Sequence, residues 1–294
     1  MSGDGWSTWP APAKLNLFLR IVGRRADGYH LLQTVFRLLD WGDEIQLRVR
    51  VDGEIVRAAG CDAIHPEEDL AVRAARALQA ATGTRLGADI AIQKHIPLGA
   101  GLGGGSSDAA TALVALNALW KAGLSRAQLA EIGVKLGADV PVFVHGRSAW
   151  AEGVGEKLVP LELPPRWYVI LDPRVHVATA ELFQAPELTR NAEPATMTGF
   201  TSGTIRDNGF EPVARARCRE VAAALDWLGG FGFARLSGSG GAVFLECEDE
   251  ASAHGIAARC PKEFTAIVAR GTNISSLQRL LGGVPREAAA GMAE

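Results

Sequence analysis

The chain has 294 residues, 48% hydrophobic and 21% charged, which allows about two domains of 100–200 residues each and excludes wholesale disorder. Thirty Lys and Arg against thirty-three Asp and Glu leave a net charge of −3, so no basic field awaits a polyanion and nucleic acid is not an expected partner. No apolar run approaches the ~20 residues of a bilayer span, no secretory signal opens the chain, and Cys61, Cys218, Cys247 and Cys260 form no C-x-x-C pair. A cytoplasmic protein without disulfide framework or zinc site is expected.

Residues 1–8 and 286–294 read as loose ends. Residues 15–22 (LNLFLRIV) read as a strand, and 44–51 (EIQLRVRV) alternate as a half-buried strand does. Residues 69–81 have helical apolar spacing between a capping Asp69 and a stop at Gly83. Residues 88–93 return to strand alternation. A glycine-rich segment then leads into a helix over 106–122, closed by Gly123, and a second helix over 126–136 follows Ser125 as N-cap. Residues 148–151 and the glycines after them read as a turn back to the body. The stretch 160–165 (PLELPP) holds three prolines in six residues and is the expected boundary. Beyond it we expect a strand at 167–171, loop to about 208, a helix over 213–228, and strands at 242–246 and 265–269. The fold class is mixed α+β in two halves, with sheets largely antiparallel.

The segment 97–108 (PLGAGLGGGSSD) is the most informative. Five glycines in seven positions, running into a helix, let backbone N–H groups converge on an anion and add the positive end of the helix dipole. Ser106 and Ser107 add hydroxyls. No Gly-Lys-Ser/Thr follows, so this is not a Walker loop. Gly99, Gly101 and Gly104 satisfy the dinucleotide pattern only through the abundance of glycine, because the neighbouring strands do not read as a parallel sheet.

The pattern P-x-x-x-G-L-G-G-G-S-S-x-A-A resembles the phosphate-binding motif of the galactokinase, homoserine, mevalonate and phosphomevalonate (GHMP) kinase superfamily. Residues 12–19 (PAKLNLFL), 23–30 (GRRADGYH), 136–143 (LGADVPVF) and 152–156 (EGVGE) resemble one branch of it. That branch phosphorylates a cytidine diphosphate-linked methylerythritol on the way to isoprenoids without mevalonate. The similarity runs from about residue 9 to 281. It implies a two-domain fold with helices packed on one side of the sheets and the active site in the cleft between domains. An ATP-binding domain would span 1–160 and a C-terminal GHMP-kinase-type domain 161–294. ATP would be the donor, Mg²⁺ would come with it, and the partner would be a small molecule, met by a monomer or homodimer.

Two residues carry the expected chemistry, since transfer to an alcohol needs a destination for the hydroxyl proton. Asp139, read from its neighbours alone, is equally a helix-end aspartate held by backbone N–H groups; the resemblance implies the catalytic base. Lys14 opens an apolar strand, where gatekeeping of a strand edge is its ordinary explanation; the resemblance implies a cation paired with Asp139. For ATP the resemblance points to Lys94, Pro97, Gly99, Ala100, Gly101, Leu102, Gly103, Gly104, Gly105, Ser106, Ser107 and Asp108. For the substrate it points to Tyr29 stacking on cytosine, His30 bonding its polar edge, and Phe183 closing the opposite face, although Phe183 also reads as a core residue. Asn16 shares Lys14's face and has an amide able to bond the polyol hydroxyls. A second glycine turn, 236–244 (LSGSGGAVF), is implied to brace the phosphate loop. The chain departs from the pattern at Asp69 and Asp108, where asparagine is usual, and at Gly241, where alanine is. The added charges near ATP would need a cation such as Lys94, and no residue is assigned to the metal. Rival readings are another GHMP kinase, for which a Tyr-His base slot has no use, a silent ligand sensor, and a dinucleotide oxidoreductase.

Overall fold

In the computed structural model, which describes residues 5–26, 28–175 and 177–282, the chain opens with a long hairpin. β1 (Ser7–Arg24) pairs antiparallel with β2 (His30–Arg50). The turn between them bonds Arg25 N–H to the Tyr29 carbonyl at 2.7 Å and uses Gly28 at φ 92°, where glycine meets no Cβ penalty. Residues 7–8, expected to be loose, are therefore strand, and the 30–43 stretch missing from the sequence reading supplies most of β2. Asp27, residues 1–4 and the tail from 283, which contains the expected loose end at 286–294, lie outside the described residues.

β3 (Ile55–Ala59) is followed by α1 (Leu70–Thr82), which begins and ends as expected: Asp69 accepts the Ala71 N–H at 3.0 Å, and Gly83 closes the helix at φ 65°. β4 (Gly87–Gln93) leads through the glycine loop into α2 (Gly104–Leu119), whose residues 107–116 are all buried, as suits a helix apolar on every side. It starts within the glycines and stops three residues before 122. The Asn117 amide bonds both ends of Leu124, at 3.0 Å each. α3 (Arg126–Val134) carries the Ser125–Gln128 capping box, and α4 (Val140–His145) follows Asp139. Residues 148–151 and the glycines after them, expected as a turn, instead hold β5 (Ala149–Glu152) and the connection to its partner β6 (Lys157–Pro160).

No helix or strand occupies 161–166. After it come β7 (Trp167–Asp172), α5 (Thr179–Gln184) and α6 (Met197–Thr201). The helix expected over 213–228 is broken into α7 (Glu211–Arg217) and α8 (Arg219–Gly229) by an extended Cys218 at φ −130°, ψ 104°. β8 (Arg235–Leu236), β9 (Val243–Cys247), α9 (Glu250–Ala257), β10 (Thr265–Thr272) and α10 (Ser276–Gly282) complete the order.

The sheet runs β3-β4-β2-β10-β7-β9-β8, with β1 and β5 also on β2; among the described residues its strand pairings are antiparallel except β3 with β4. β10 ties the halves together, pairing with β7 along its length and with β2 at Gly271 and Thr272. A Cβ on Gly271 would lie 2.1 Å from the Arg37 Nε, so a side chain there would have to displace the buried Arg37 guanidinium. One core lies among α1–α4 and the first strands, a second among β7, β9 and α5, α7 and α8, and a third beneath the glycine loop, where Ala13, Leu15, Ile96, Ala100 and Leu102 meet Tyr168 and Phe244. No helix of the described residues is long and apolar enough to cross a membrane.

Candidate active site

A cavity of about 800 Å³ opens where these cores meet, lined from the first half by β1, β2 and the glycine loop and from the second by Thr179, Phe183, Phe210, Gly238 and Ser239. The loop's shape follows from its glycines. Gly99, Gly101 and Gly103 sit at φ 68°, 79° and 77°, a region costly for residues with a Cβ. Between them Ala100 and Leu102 turn down into the core, 2% and 1% exposed. The backbone of Gly104, Gly105 and Ser106 lines the cavity on the first turn of α2, where helix N–H groups have no intrahelical acceptor. The second glycine turn supports this loop from behind. Ala242 donates to the Ala100 carbonyl at 3.0 Å and Ser237 Oγ to the Gly101 carbonyl at 3.1 Å. The approach is so close that a Cβ on Gly101 would lie 2.1 Å from the Ser237 carbonyl oxygen, and one on Gly240 2.1 Å from the Gly101 nitrogen. Gly241 has a Cβ position 3.2 Å from the Val175 carbonyl oxygen.

Lys14 and Asp139 face this cavity from opposite elements. Lys14 is 3% exposed, yet its ammonium has three partners: the Asn16 Oδ1 at 2.5 Å, the Gly101 carbonyl at 3.0 Å and the Asp139 Oδ2 at 3.2 Å. Burial of the cation is offset by these contacts. Its backbone N–H also donates to the Leu102 carbonyl at 3.0 Å, so one residue ties β1 to the glycine loop twice. Asp139 precedes α4, but its side chain makes no capping bond to that helix. The helix-end reading of this aspartate therefore has no support in the geometry, and its carboxylate is left to Lys14 and the cavity.

Lys94 lines the cavity near Gly104 and is held by two carboxylates, Asp108 at 2.7 Å and Asp43. Asp43 also accepts the N–H groups of His95 at 2.5 Å and Ile96 at 2.8 Å, fixing the entry to the loop. Burial alone would lower the Lys94 pKa, but its two carboxylates outweigh burial and raise it. Burial pushes Asp108 up to about 7 against the pull of Lys94, with Asp43 and Asp69 adding repulsion. Ser107 and Asp108, expected beside the nucleotide, are 0% and 4% exposed and are not among the residues lining the cavity; the helix turns them inward, against the body of the protein. Asp69 is likewise turned away, capping α1 and pairing with Arg57 at 3.2 Å, and Leu70 lines the cavity instead. Pro97 and Gly99 stand on the wall.

Tyr29, His30 and Phe183 all line the cavity's other end. Tyr29 is 65% exposed at the hairpin tip. His30 stacks on Phe183, ring centroids 4.7 Å apart and planes 22° from parallel, and Phe183 meets Phe210 edge to face at 4.8 Å. Phe183 therefore backs His30, whereas the sequence reading set it opposite Tyr29 alone. The His30 Nε2 is buried and without a hydrogen-bond partner. Burial, with Arg24 and Arg190 nearby, lowers the His30 pKa, which keeps the ring neutral at pH 7. Asn16, expected to meet polyol hydroxyls, is 3% exposed and engaged on both sides, by Lys14 and by the Thr34 Oγ1 at 2.9 Å.

Asp43, Thr34 and Phe36, whose ring lies 5.5 Å from the Lys14 ammonium, escaped the sequence reading because all three stand on the part of β2 it left unassigned. A carboxylate inside a strand pattern was the available signal for Asp43.

Two family models match the chain: the GHMP kinases N terminal domain over residues 69–147 and the GHMP kinases C terminal over residues 182–266. Among curated proteins, the chain is 56% identical over 284 residues to the 4-diphosphocytidyl-2-C-methyl-D-erythritol kinase of Xanthomonas campestris pv. campestris, covering 96% of each chain. It is 55% identical over 279 residues to the kinase of the same name from Alkalilimnicola ehrlichii, covering 95% of this chain and 96% of that one. Among solved structures, a 4-(cytidine 5'-diphospho)-2C-methyl-D-erythritol kinase superposes with a TM-score of 0.77 at 34% identity, over 90% of this chain and 99% of that one. The chain belongs to the GHMP kinase family, in the branch formed by the 4-diphosphocytidyl-2-C-methyl-D-erythritol kinases.

Proposed function

We propose that the protein transfers the γ-phosphoryl group of ATP to the 2-hydroxyl of 4-diphosphocytidyl-2-C-methyl-D-erythritol, giving the 2-phosphate and ADP in isoprenoid precursor synthesis. The observation that carries the chemistry is Asp139: a carboxylate that caps nothing, opens on the cavity, and lies 3.2 Å from a buried ammonium. In this reading the substrate oxygen attacks the γ-phosphorus, the bond from that phosphorus to the β-bridging oxygen breaks, and the hydroxyl proton passes to Asp139. Lys14 pairs with Asp139 and lies beside the charge that develops. The backbone of residues 99–106 cradles the phosphates, and Lys94 stands at the start of that cradle. Mg²⁺ carried on the nucleotide would supply neutralisation of phosphate charge; no cluster of three or more His, Cys, Asp or Glu among the described residues could hold a metal by itself, and Ser106, on the cavity wall, is the residue that would assist.

Tyr29 offers its exposed ring to cytosine, and the unpartnered His30 Nε2 is the polar atom for the base's edge, with Phe183 fixing that ring. The division near residue 160 separates an ATP-binding half from a C-terminal half, supported by family models that fall on either side of it; β10 and α10 return to bind the two. The setting is the cytoplasm, where free cysteines remain reduced, and the working form is a monomer or homodimer that needs neither membrane nor nucleic acid.

ADP release from Mg-ATP tests the substrate against a panel of the cytidine compound, its uridine analogue, homoserine and mevalonate. Turnover confined to the cytidine compound is expected. Turnover of homoserine or mevalonate in its place would overturn the substrate and the role of Tyr29 and His30.

A further inference from the structure

Lys14 can serve Asp139 only if its ammonium is aimed, and two partners hold it, the Gly101 carbonyl at 3.0 Å and, nearer, the Asn16 amide oxygen at 2.5 Å. An amide presents an oxygen or an NH₂ group depending on which way it is turned. If Asn16 were flipped, two donors would confront the ammonium in a buried site. What decides the flip is Thr34. Its hydroxyl donates to the Phe18 carbonyl at 2.5 Å, where the β1–β2 register shifts between Asn16 and Leu19. With its proton committed there, the Thr34 oxygen can only accept, and it accepts from the Asn16 Nδ2 at 2.9 Å. That leaves the Asn16 oxygen for Lys14. The chain Phe18 carbonyl, Thr34, Asn16, Lys14 has one consistent polarity, and every member is buried, Thr34 at 1% exposed.

We infer that Thr34 is a positioning residue for phosphoryl transfer, setting the Asn16 amide and through it the Lys14 ammonium beside Asp139. The inference rests on the reading of Lys14 and Asp139 given above. Thr34 also lines the cavity, so a role through Lys14 must be separated from contact with substrate or from packing alone.

Thr34→Val keeps the shape and removes the hydroxyl. With Mg-ATP and the cytidine substrate, kcat should fall about tenfold while both KM values stay within about twofold. Thr34→Ser should restore kcat. In a Lys14→Ala background, Thr34→Val should cost nothing further, since the residue it aims is gone. Circular dichroism establishes folding, and if Thr34→Val does not fold, Thr34→Ala is read the same way. A rise confined to KM, a failure of Thr34→Ser to rescue, or an undiminished loss in the Lys14→Ala background would overturn the inference and leave the catalytic pair standing. Near-normal turnover of Lys14→Ala itself would instead overturn the reading on which it rests.

Discussion

Two lysine–aspartate pairs flank the glycine loop, and they are built in opposite senses. In the first, the cation is sunk and the carboxylate open: the side chains of Lys14 and Asp139 are 3% and 32% exposed. In the second, the carboxylate is sunk and the cation nearer the surface: Lys94 is 16% and Asp108 6% exposed. A carboxylate open to a cavity can take a proton from something in that cavity, whereas a buried one can only balance charge inside the protein. The second pair has a further carboxylate, Asp43, bonded to the backbone where β4 enters the loop, which suits an anchor. Proximity of Lys to Asp is thus no sign of catalysis by itself; which partner faces the cavity decides.

The sharpest way to break the contrast is to move the loop between the pairs. Gly101→Ala puts a Cβ against the Ser237 carbonyl at a φ of 79° and should destabilise the fold by about 2–4 kcal/mol, seen as a lowered thermal midpoint together with weakened nucleotide binding by calorimetry. Next, Tyr29→Ala changes the exposed hairpin tip and neither pair. Losing a stacking face worth about 1–3 kcal/mol should raise KM for the cytidine substrate by about 5- to 150-fold, with KM for ATP unchanged in the same assays.

Smallest is a pH effect at the second pair. The Asp108 pKa is raised in the folded protein to about 7 from 3.8, so its contribution to stability is fully present below the lower value and lost as pH rises through the higher. Asn at this position does not titrate. The melting midpoint of Asp108→Asn, relative to the unaltered protein, should therefore rise by a few degrees between about pH 5 and pH 8. A constant difference would mean that Asp108 stays ionised throughout.

What the sequence disclosed follows from how local each signal is. The caps at Asp69, Gly83 and Ser125 and the glycine loop running into a helix are short-range chemistry, and they stand where expected. β2 was half missed because a strand buried on both faces over residues 33–39 shows no alternation. The break at Cys218 and the inward turn of Ser107 and Asp108 are set by packing of distant segments, which no local pattern carries. Lys14 and Asp139 could be paired only through a resemblance, since 125 residues separate them, and the stacking of His30 on Phe183 was hidden for the same reason.

The contrast between the two pairs is tested most directly by removing the same charge from each. Asp139→Asn and Asp108→Asn are compared for turnover of ATP and the cytidine substrate, with nucleotide binding measured on both. The account predicts that Asp139→Asn loses at least about a hundredfold in kcat while still binding ATP, and that Asp108→Asn stays within about tenfold of the unaltered protein. Retained turnover in Asp139→Asn, or equal losses in both variants, would contradict it.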